Sequence, residues 1–551
     1  MQVLGLELLS TNQPSSQPVQ WFSAASSTPI VLQARLIAPY RYLDVTDLLQ
    51  QAGVQWAIAG DALAITFPPA QIASIRHSEQ PWGKRLVLDL DRPTFWQVTQ
   101  AKAEGVVTIE GTASPQLLAQ FQHSPAAASN EQASNSDEDD LGSGAAAVPS
   151  QLAAQWFALD SSGAIGSASA QTAIAKLKIK LPTAQGLRVF SLANPNRLAI
   201  DIRPDALTPR EIQWAPGVTW RQQFVSLRNG LRQSLFPVHS LEVDLRSPHL
   251  SLKPMTSNPS GLEGIAPLVA TARSQQAIAA INGGFFNRNN KLPLGAIRQD
   301  SRWLSGPILN RGAIAWNERG EIKIGRLSLR ESLITATGNR LPILFLNSGY
   351  LQAGMARYTP EWGTSYTPLT DSETIIRVEN NQVTQQFKAG KSPIAIPSNG
   401  YLLTIRNNGV SAAALIPGTQ LTLENTTLPA DFDRYSQILG AGPLLLQGGR
   451  LVLNGAGEQF SKAFTQQTAS RSAIATTPRG TLMIVAVHNR VGGRGATLAE
   501  LAQILQQLGA VDALNLDGGS STSLYLGGQL IDRSPVTAAR VHNGLGIFLA
   551  P

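Results

Sequence analysis

Alternation of apolar and polar residues with a period of two recurs along the chain and predicts strands far more often than helices. AIAGDALAITF (57–67), KRLVLDLDRP (84–93), AIAKLKIKLP (173–182) and NRLAIDIRPD (196–205) all carry it. Helical periodicity is rare. LDVTDLLQQAG (43–53) reads as one short amphipathic helix, and residues 266–273 as another. A third is fully marked: Thr497 and Glu500 form a capping box, Leu498, Leu501, Ile504, Leu505 and Leu508 make one apolar stripe, and Gly509 stands at the C-terminal cap. A helix with a single apolar stripe needs a sheet to lie against. From Gly230 onward, Gly and Asn cluster at the ends of predicted strands. The expected fold class is therefore α+β: a mixed β-sheet catalytic-type domain over 230–551 with few packed helices, preceded by small β-rich α+β modules at 1–122 and 151–229.

Between those modules the periodicity stops. Residues 123–150 are rich in Ala, Ser, Asn and Gly around the acidic run Asp137-Glu138-Asp139-Asp140, which reads as a low-complexity linker. KRLVLDLDRP and NRLAIDIRPD share one shape: a basic residue, an apolar strand with an embedded Asp, then Arg-Pro. This is a weak internal repeat. Both copies resemble the strand signature of AMIN-like modules, which implies an envelope protein that recognises wall polymer. The residues alone also fit two edge strands that end in proline, where ladder pairing stops.

Composition narrows the function. At 551 residues and 43% hydrophobic content the chain has material for more than one core. Its best apolar runs, such as Thr481 to Val487, are strand-length, so no transmembrane segment is expected. The opening MQVLGLELLS lacks a basic n-region and a small-residue cleavage site, and no signal peptide is read there. With no cysteine, a disulfide framework, a thiolate metal site and a cysteine nucleophile are excluded. A net charge of +7 is dilute over this length and forms no Lys/Arg-rich run, which argues against nucleic acid. Dispersed arginines suit an anionic substrate or an acidic envelope surface.

Two strand ends carry the candidate chemistry. In ALNLDGGSS (513–521), alternation places Leu514 and Leu516 on one face and Asn515 and Asp517 on the other, delivering a carboxylate at the strand tip. Gly518 and Gly519 permit a sharp turn and close backbone approach, and Ser520, Ser521 and Thr522 add hydroxyls. AIAAIN (277–282) repeats the construction, with Asn282 at the tip before Gly283-Gly284-Phe285-Phe286. Each Gly-Gly taken singly is also explained as a tight turn. Together they predict one shared pocket.

INGGFF (281–286), AGPLLLQGGR (441–450), SRSAIA (470–475), GATLAELAQILQQLGA (495–510) and LNLDGGSSTSLY (514–525) occur in the order found in phosphodiester glycosidases, which residues 230–551 resemble. RYTPEWGTSY, IIRVENNQV and IPSNGYLL look like that family's central region. The chain departs from the pattern at Ala475 and Ser520, where the family often carries glycine.

The resemblance implies hydrolysis of a sugar-1-phosphodiester at the glycosidic carbon–oxygen bond, releasing the sugar and a phosphomonoester. An ordinary glycosidase needs a carboxylic acid to protonate a poor alkoxide leaving group and a second carboxylate opposite it. A phosphate leaves as a stable anion, so the demand becomes one carboxylate at the anomeric carbon and cations on the phosphate. Asp517 is the expected carboxylate, with Arg471 and then Arg490 as the phosphate clamp. His488, in AVHNRVGGRG with Arg490 and Arg494, is a candidate proton shuttle or phosphate ligand. Asn282, Gly283, Gly284, Asn515, Gly518, Gly519, Ser520, Ser521, His542 and Asn543 are expected to line the substrate pocket, Asn282 orienting hydroxyls or the carboxylate rather than reacting. Plain alternatives exist for each: a turn-capping Asp, a salt-bridged Arg, a loop His, a cap at His542-Asn543.

No metal-ligand spacing is present and no cofactor is expected. The GxSxG elbow of serine hydrolases is absent. The expected partner is a sugar-phosphate glycopolymer or glycoconjugate, with the N-terminal modules on cell-wall polymer and a periplasmic or extracellular envelope location implied by the resemblance. A noncatalytic glycan- or wall-binding protein on the same fold is the competing expectation.

Overall fold

The computed structural model describes residues 5–23, 28–60, 62–66, 68–101, 103–121, 156–162, 174–406 and 412–549. The fold is sheet-rich, and the five α-helices among the described residues are short, the longest being Leu498–Gln507. Two compact units divide the chain: Met1–Thr11, Ser16–Ala34 and Leu43–Thr208 in the first, Asn12–Ser15, Arg35–Tyr42 and Pro209–Pro551 in the second. The boundary thus falls ahead of the expected residue 230, because Val218–Asn229 forms a long hairpin with Arg232–Val243 and continues the second unit's sheet.

In the first unit the expected modules 1–122 and 151–229 are not separate. Glu104–Ala113 pairs antiparallel with Ile174–Lys180, and Gly83–Leu90 with Arg197–Arg203, so chain from both sides of 123–150 forms one sheet. The linker expected at 123–150 itself lies outside the described residues. The two copies of the repeat are thus partners of one another, with Leu198 opposite Leu88 and Ile200 opposite Leu86, all buried in one core. Neither is an edge strand, which corrects the proline-terminated reading: each is flanked on both sides. Their embedded acids have a structural use. Asp201 is buried and bonded by both Nε and Nη2 of Arg85, at 2.6 and 2.8 Å, while Asp89 receives Arg76. Paired arginine forks of this kind fix strand register.

In the second unit an eight-stranded sheet runs Arg210–Ala215, Val218–Asn229, Arg232–Val243, Leu482–Val487, Arg471–Thr476, Ala513–Asn515, Leu444–Gln447, Arg450–Leu451. The marked helix, Leu498–Gln507, covers it. Its capping box forms as expected, Leu498, Leu501, Ala502, Ile504 and Leu505 are buried, and Gly509 takes the positive φ that ends it. The stripe meets Val225, Phe236, Val238, Leu445, Ala473 and Val485 on the sheet; each buried leucine contributes about 1.5–3 kcal/mol. A second sheet, Leu250–Thr256, Asn543–Leu549, Ala279–Asn282, Leu524–Leu526, Gln529–Leu530, is reached through the short helix Leu268–Ser274. The strands Ala513–Asn515 and Ala279–Asn282 belong to different sheets, and both end at their Gly-Gly turns.

Candidate active site

The two tips meet through the backbone. The Asp517 N–H donates to the Gly283 carbonyl at 3.0 Å, the neighbouring Leu516 N–H to Ser472 and the Gly519 N–H to Ser470. Asp517 is therefore held at the seam of two sheets. Asn282 locks the seam: its Nδ2 donates to the Asp517 carbonyl at 2.6 Å, and its Oδ1 accepts from Ser472 Oγ at 2.7 Å and the Ser523 N–H at 3.1 Å. With three of the four hydrogen-bonding positions of its amide used and its side chain buried, Asn282 is placed to hold Asp517 rather than to line a pocket as expected.

The same correction applies to the turn beside it. Asn543 Oδ1 accepts the Gly284 N–H at 2.7 Å, and His542 bonds the Leu262 carbonyl through Nε2 and Asn543 through Nδ1. A Cβ on Gly283 would stand 2.2 Å from Asn543 Oδ1, and one on Gly284 2.2 Å from the Gly440 carbonyl. All four residues are buried. The first Gly-Gly is demanded by packing, not by a ligand. Asn515 too is buried, its Nδ2 spent on the Gly442 carbonyl.

The Asp517 turn is more open. Asp517 is partly exposed while its carboxylate is closely surrounded by protein; the carboxylate accepts the Gly518 N–H at 3.0 Å and takes a hydrogen bond from Ser521. Crowding by surrounding protein pushes the carboxyl up to about 6, against those two hydrogen bonds and the charge of Arg288, all of which pull it down. Gly519 adopts a left-handed φ of 65° in open space, and Ser520 is exposed. Arg533, absent from the expected site, braces this turn from behind by donating to the carbonyls of Gly519, Ser520 and Thr522.

Arg471 lies alongside: its Cδ would be 3.6 Å from a Cβ on Gly518. The side chain is 1% exposed, donates from Nε to the Ala496 carbonyl at 3.0 Å and from Nη2 to the Gln467 carbonyl, and has no ion-pair partner among the described residues. Burial alone brings its pKa down to about 10. A buried guanidinium met only by backbone carbonyls keeps a positive charge that no acid offsets. Arg490, by contrast, is consumed by structure. It pairs with the capping-box Glu500 at 2.9 Å, bonds Ser234 Oγ and the carbonyls of Arg494 and Gly495, and lies over Phe236. It is removed from the phosphate clamp, and Arg494 is merely exposed.

His488 follows Val487, the register partner of Arg471. Its Nε2 lies 3.0 Å from Asp532, whose side chain is fully buried and also accepts the Leu524 N–H. His239 packs edge-on to His488 at 6.0 Å, and burial takes its pKa down to about 3, keeping it neutral. A His–Asp dyad thus flanks the turn that Arg533 braces. Asp532, Arg533 and Arg288 were missed in the sequence; an Asp-Arg pair thirteen residues past the Gly-Gly and an Arg two beyond INGGFF were the only signals. Two clefts of about 500 and 470 Å³ open elsewhere on the unit, and neither is lined by Asp517, Arg471 or His488; charge and hydrogen bonding, not cleft size, identify the site.

A hypothetical protein from Synechocystis, solved by crystallography, is similar over almost the whole chain, with 47% identity, 99% of this chain and 92% of that one covered, and a TM-score of 0.85. The zebrafish N-acetylglucosamine-1-phosphodiester alpha-N-acetylglucosaminidase catalytic domain matches at 16% identity over 61% of this chain and 85% of that one, with a TM-score of 0.34. No curated protein matches the chain. No helix among the described residues is long and apolar enough to cross a membrane. Residues 372–548, which contain Arg471, His488, Asp517 and Asp532, match the phosphodiester glycosidase family model, so that this stretch of the chain is a phosphodiester glycosidase domain.

Proposed function

We propose that the second unit hydrolyses a sugar-1-phosphodiester, and one observation carries the reading: Asp517, with its carboxyl raised to about 6, opens a turn along which the Arg471 side chain runs, and that guanidinium meets backbone carbonyls and no carboxylate among the described residues. Water adds its oxygen to the anomeric carbon as the bond from that carbon to the phosphate oxygen breaks. The bonding pair leaves with the phosphate, and the products are the free sugar, a phosphomonoester and one proton. Asp517 supplies the negative charge facing the carbon as positive charge develops there. Arg471, with Arg288 at the rim, holds the departing phosphate. The His488–Asp532 dyad is placed to manage the proton. The substrate belongs to an envelope glycopolymer or glycoconjugate, and the first unit serves to hold the enzyme on that polymer.

The test is release of sugar and phosphomonoester from a panel of sugar-1-phosphodiesters by the full chain and its Asp517→Asn variant. Release abolished by the substitution supports the assignment. Equal turnover by both proteins removes Asp517 from the chemistry, and binding to the glycan without any release points to a noncatalytic binder.

A further inference from the structure

We propose that the site takes a substrate with a second negative charge, held by Arg311 beyond the reacting phosphodiester. This rests on the reading of Asp517 and Arg471 above. Phe464 lies under the Arg471 guanidinium at 5.7 Å. Phe464 stacks on Phe460, with centroids 5.0 Å apart and planes 23° apart, and the Arg311 guanidinium covers Phe460 at 4.0 Å. Phe285, directly after the first Gly-Gly, meets both rings edge-on at 5.5 and 5.6 Å. The result is a continuous row, Arg471, Phe464, Phe460, Arg311, in which ring faces attract a cation at either end.

The row stands on the Asp517 side of the sheet. A Cβ on Gly442 would be 3.2 Å from the Phe460 ring, and Gly442 exchanges hydrogen bonds with Asn515, two residues before Asp517 and on the same strand face. Phe285 and Phe460 are half-buried and pack into none of the unit's apolar cores.

Charge accounting singles out Arg311. Glu458, the carboxylate that acts on Arg311 among the described residues, is fully buried and accepts from the Gly312 and Leu444 N–H groups and from Arg326 Nε at 3.0 Å. Arg311 reaches only the Glu458 carbonyl, at 3.3 Å. Two guanidinium groups share one carboxylate, so one positive charge is left over; burial lowers the Arg311 pKa, and the charges of Tyr350 and Glu458 offset that only in part. Both ends of the row are thus cations without an acid of their own, which suits a ligand with two anionic groups. The second group is either a further phosphate on the aglycone or a carboxylate on the sugar.

Three substrates distinguish these sources: a sugar-1-phosphodiester with neutral sugar and neutral aglycone, one with a second phosphate on the aglycone, and one with a uronic sugar. The full chain is expected to favour one doubly charged substrate by about ten-fold or more in kcat/KM, through KM, the scale of one charge-assisted hydrogen bond. Arg311→Gln collapses the preference and Arg311→Lys retains part of it. No preference in the parent chain, or an equal fall in kcat on all three substrates in Arg311→Gln, overturns the proposal. If the parent chain hydrolyses none of them, the catalytic reading fails by itself. Calorimetry then decides: tighter binding of pyrophosphate than of phosphate, lost in Arg311→Gln, supports the second anion point, and equal affinities for both anions refute it.

Discussion

Replacing Asp517 by Asn should stabilise the protein at neutral pH while abolishing activity. The folded state holds the carboxyl at about 6, against 3.8 in its absence. A raised acid pKa means that the folded chain binds the proton more tightly than the unfolded chain, so stability falls as pH rises from about 4 to about 6 and stays low above that. At ~1.4 kcal/mol per pKa unit, the ionised carboxylate costs about 3 kcal/mol at pH 7. Asparagine keeps an oxygen for the Gly518 N–H and Ser521, and carries no charge to desolvate. Urea unfolding of both proteins, followed through hydrogen exchange of peptides spanning 468–526, should show almost no difference at pH 4 and an advantage for Asp517→Asn of about 1–3 kcal/mol at pH 8. An equal difference at both pH values would mean that the carboxylate is not desolvated, and the argument for a tuned group would fall with it.

Two further substitutions separate positioning from chemistry. Asn282→Ala leaves the Asp517 carbonyl, Ser472 Oγ and the Ser523 N–H without their partner at a buried seam, so a loss of about 2–4 kcal/mol in unfolding free energy is expected, together with loss of turnover; a thermal midpoint equal to that of the parent chain would contradict the assignment. Asp532→Asn sets an amide N–H against either the Leu524 N–H or His488 Nε2, and should lower kcat about ten- to a hundred-fold with little change in KM, whereas a rise in KM alone would make the dyad a binding element.

Local rules made much of this legible. The capping box, the stripe of Leu498 to Leu505 and Gly509 specify a helix within thirteen residues, and period-two alternation specifies where Asp517 points. What stayed hidden was the destination of each hydrogen bond. Asn282 reaches Asp517 across 235 positions and Arg490 reaches Ser234 across 256, and no neighbouring letters record such pairings. Arg471 and Arg490 look alike in sequence, each opening or following an apolar strand. They differ because a glutamate placed by the helix cap neutralises one, and only backbone carbonyls meet the other. The repeat shows the same limit: alternation predicts two strands, but not that Leu88 lies opposite Leu198.

The unpaired state of the central groups is itself informative. Arg471 reaches along Gly518, next to Asp517, yet no ion pair joins them, and the positive charge that most steadies the carboxylate is Arg288 at the rim. Asp517 and Arg471 each bear a desolvation penalty that pairing with an opposite charge would offset. Here the backbone prevents it: Asn282 and Gly283 fix Asp517 from one sheet, and the Ala496 and Gln467 carbonyls fix Arg471 from the other side. A substrate that presents an electron-poor carbon and an attached anionic phosphate fits that separation, because each group then meets the opposite charge. The bond between the carbon and the phosphate oxygen is the one whose cleavage both groups favour.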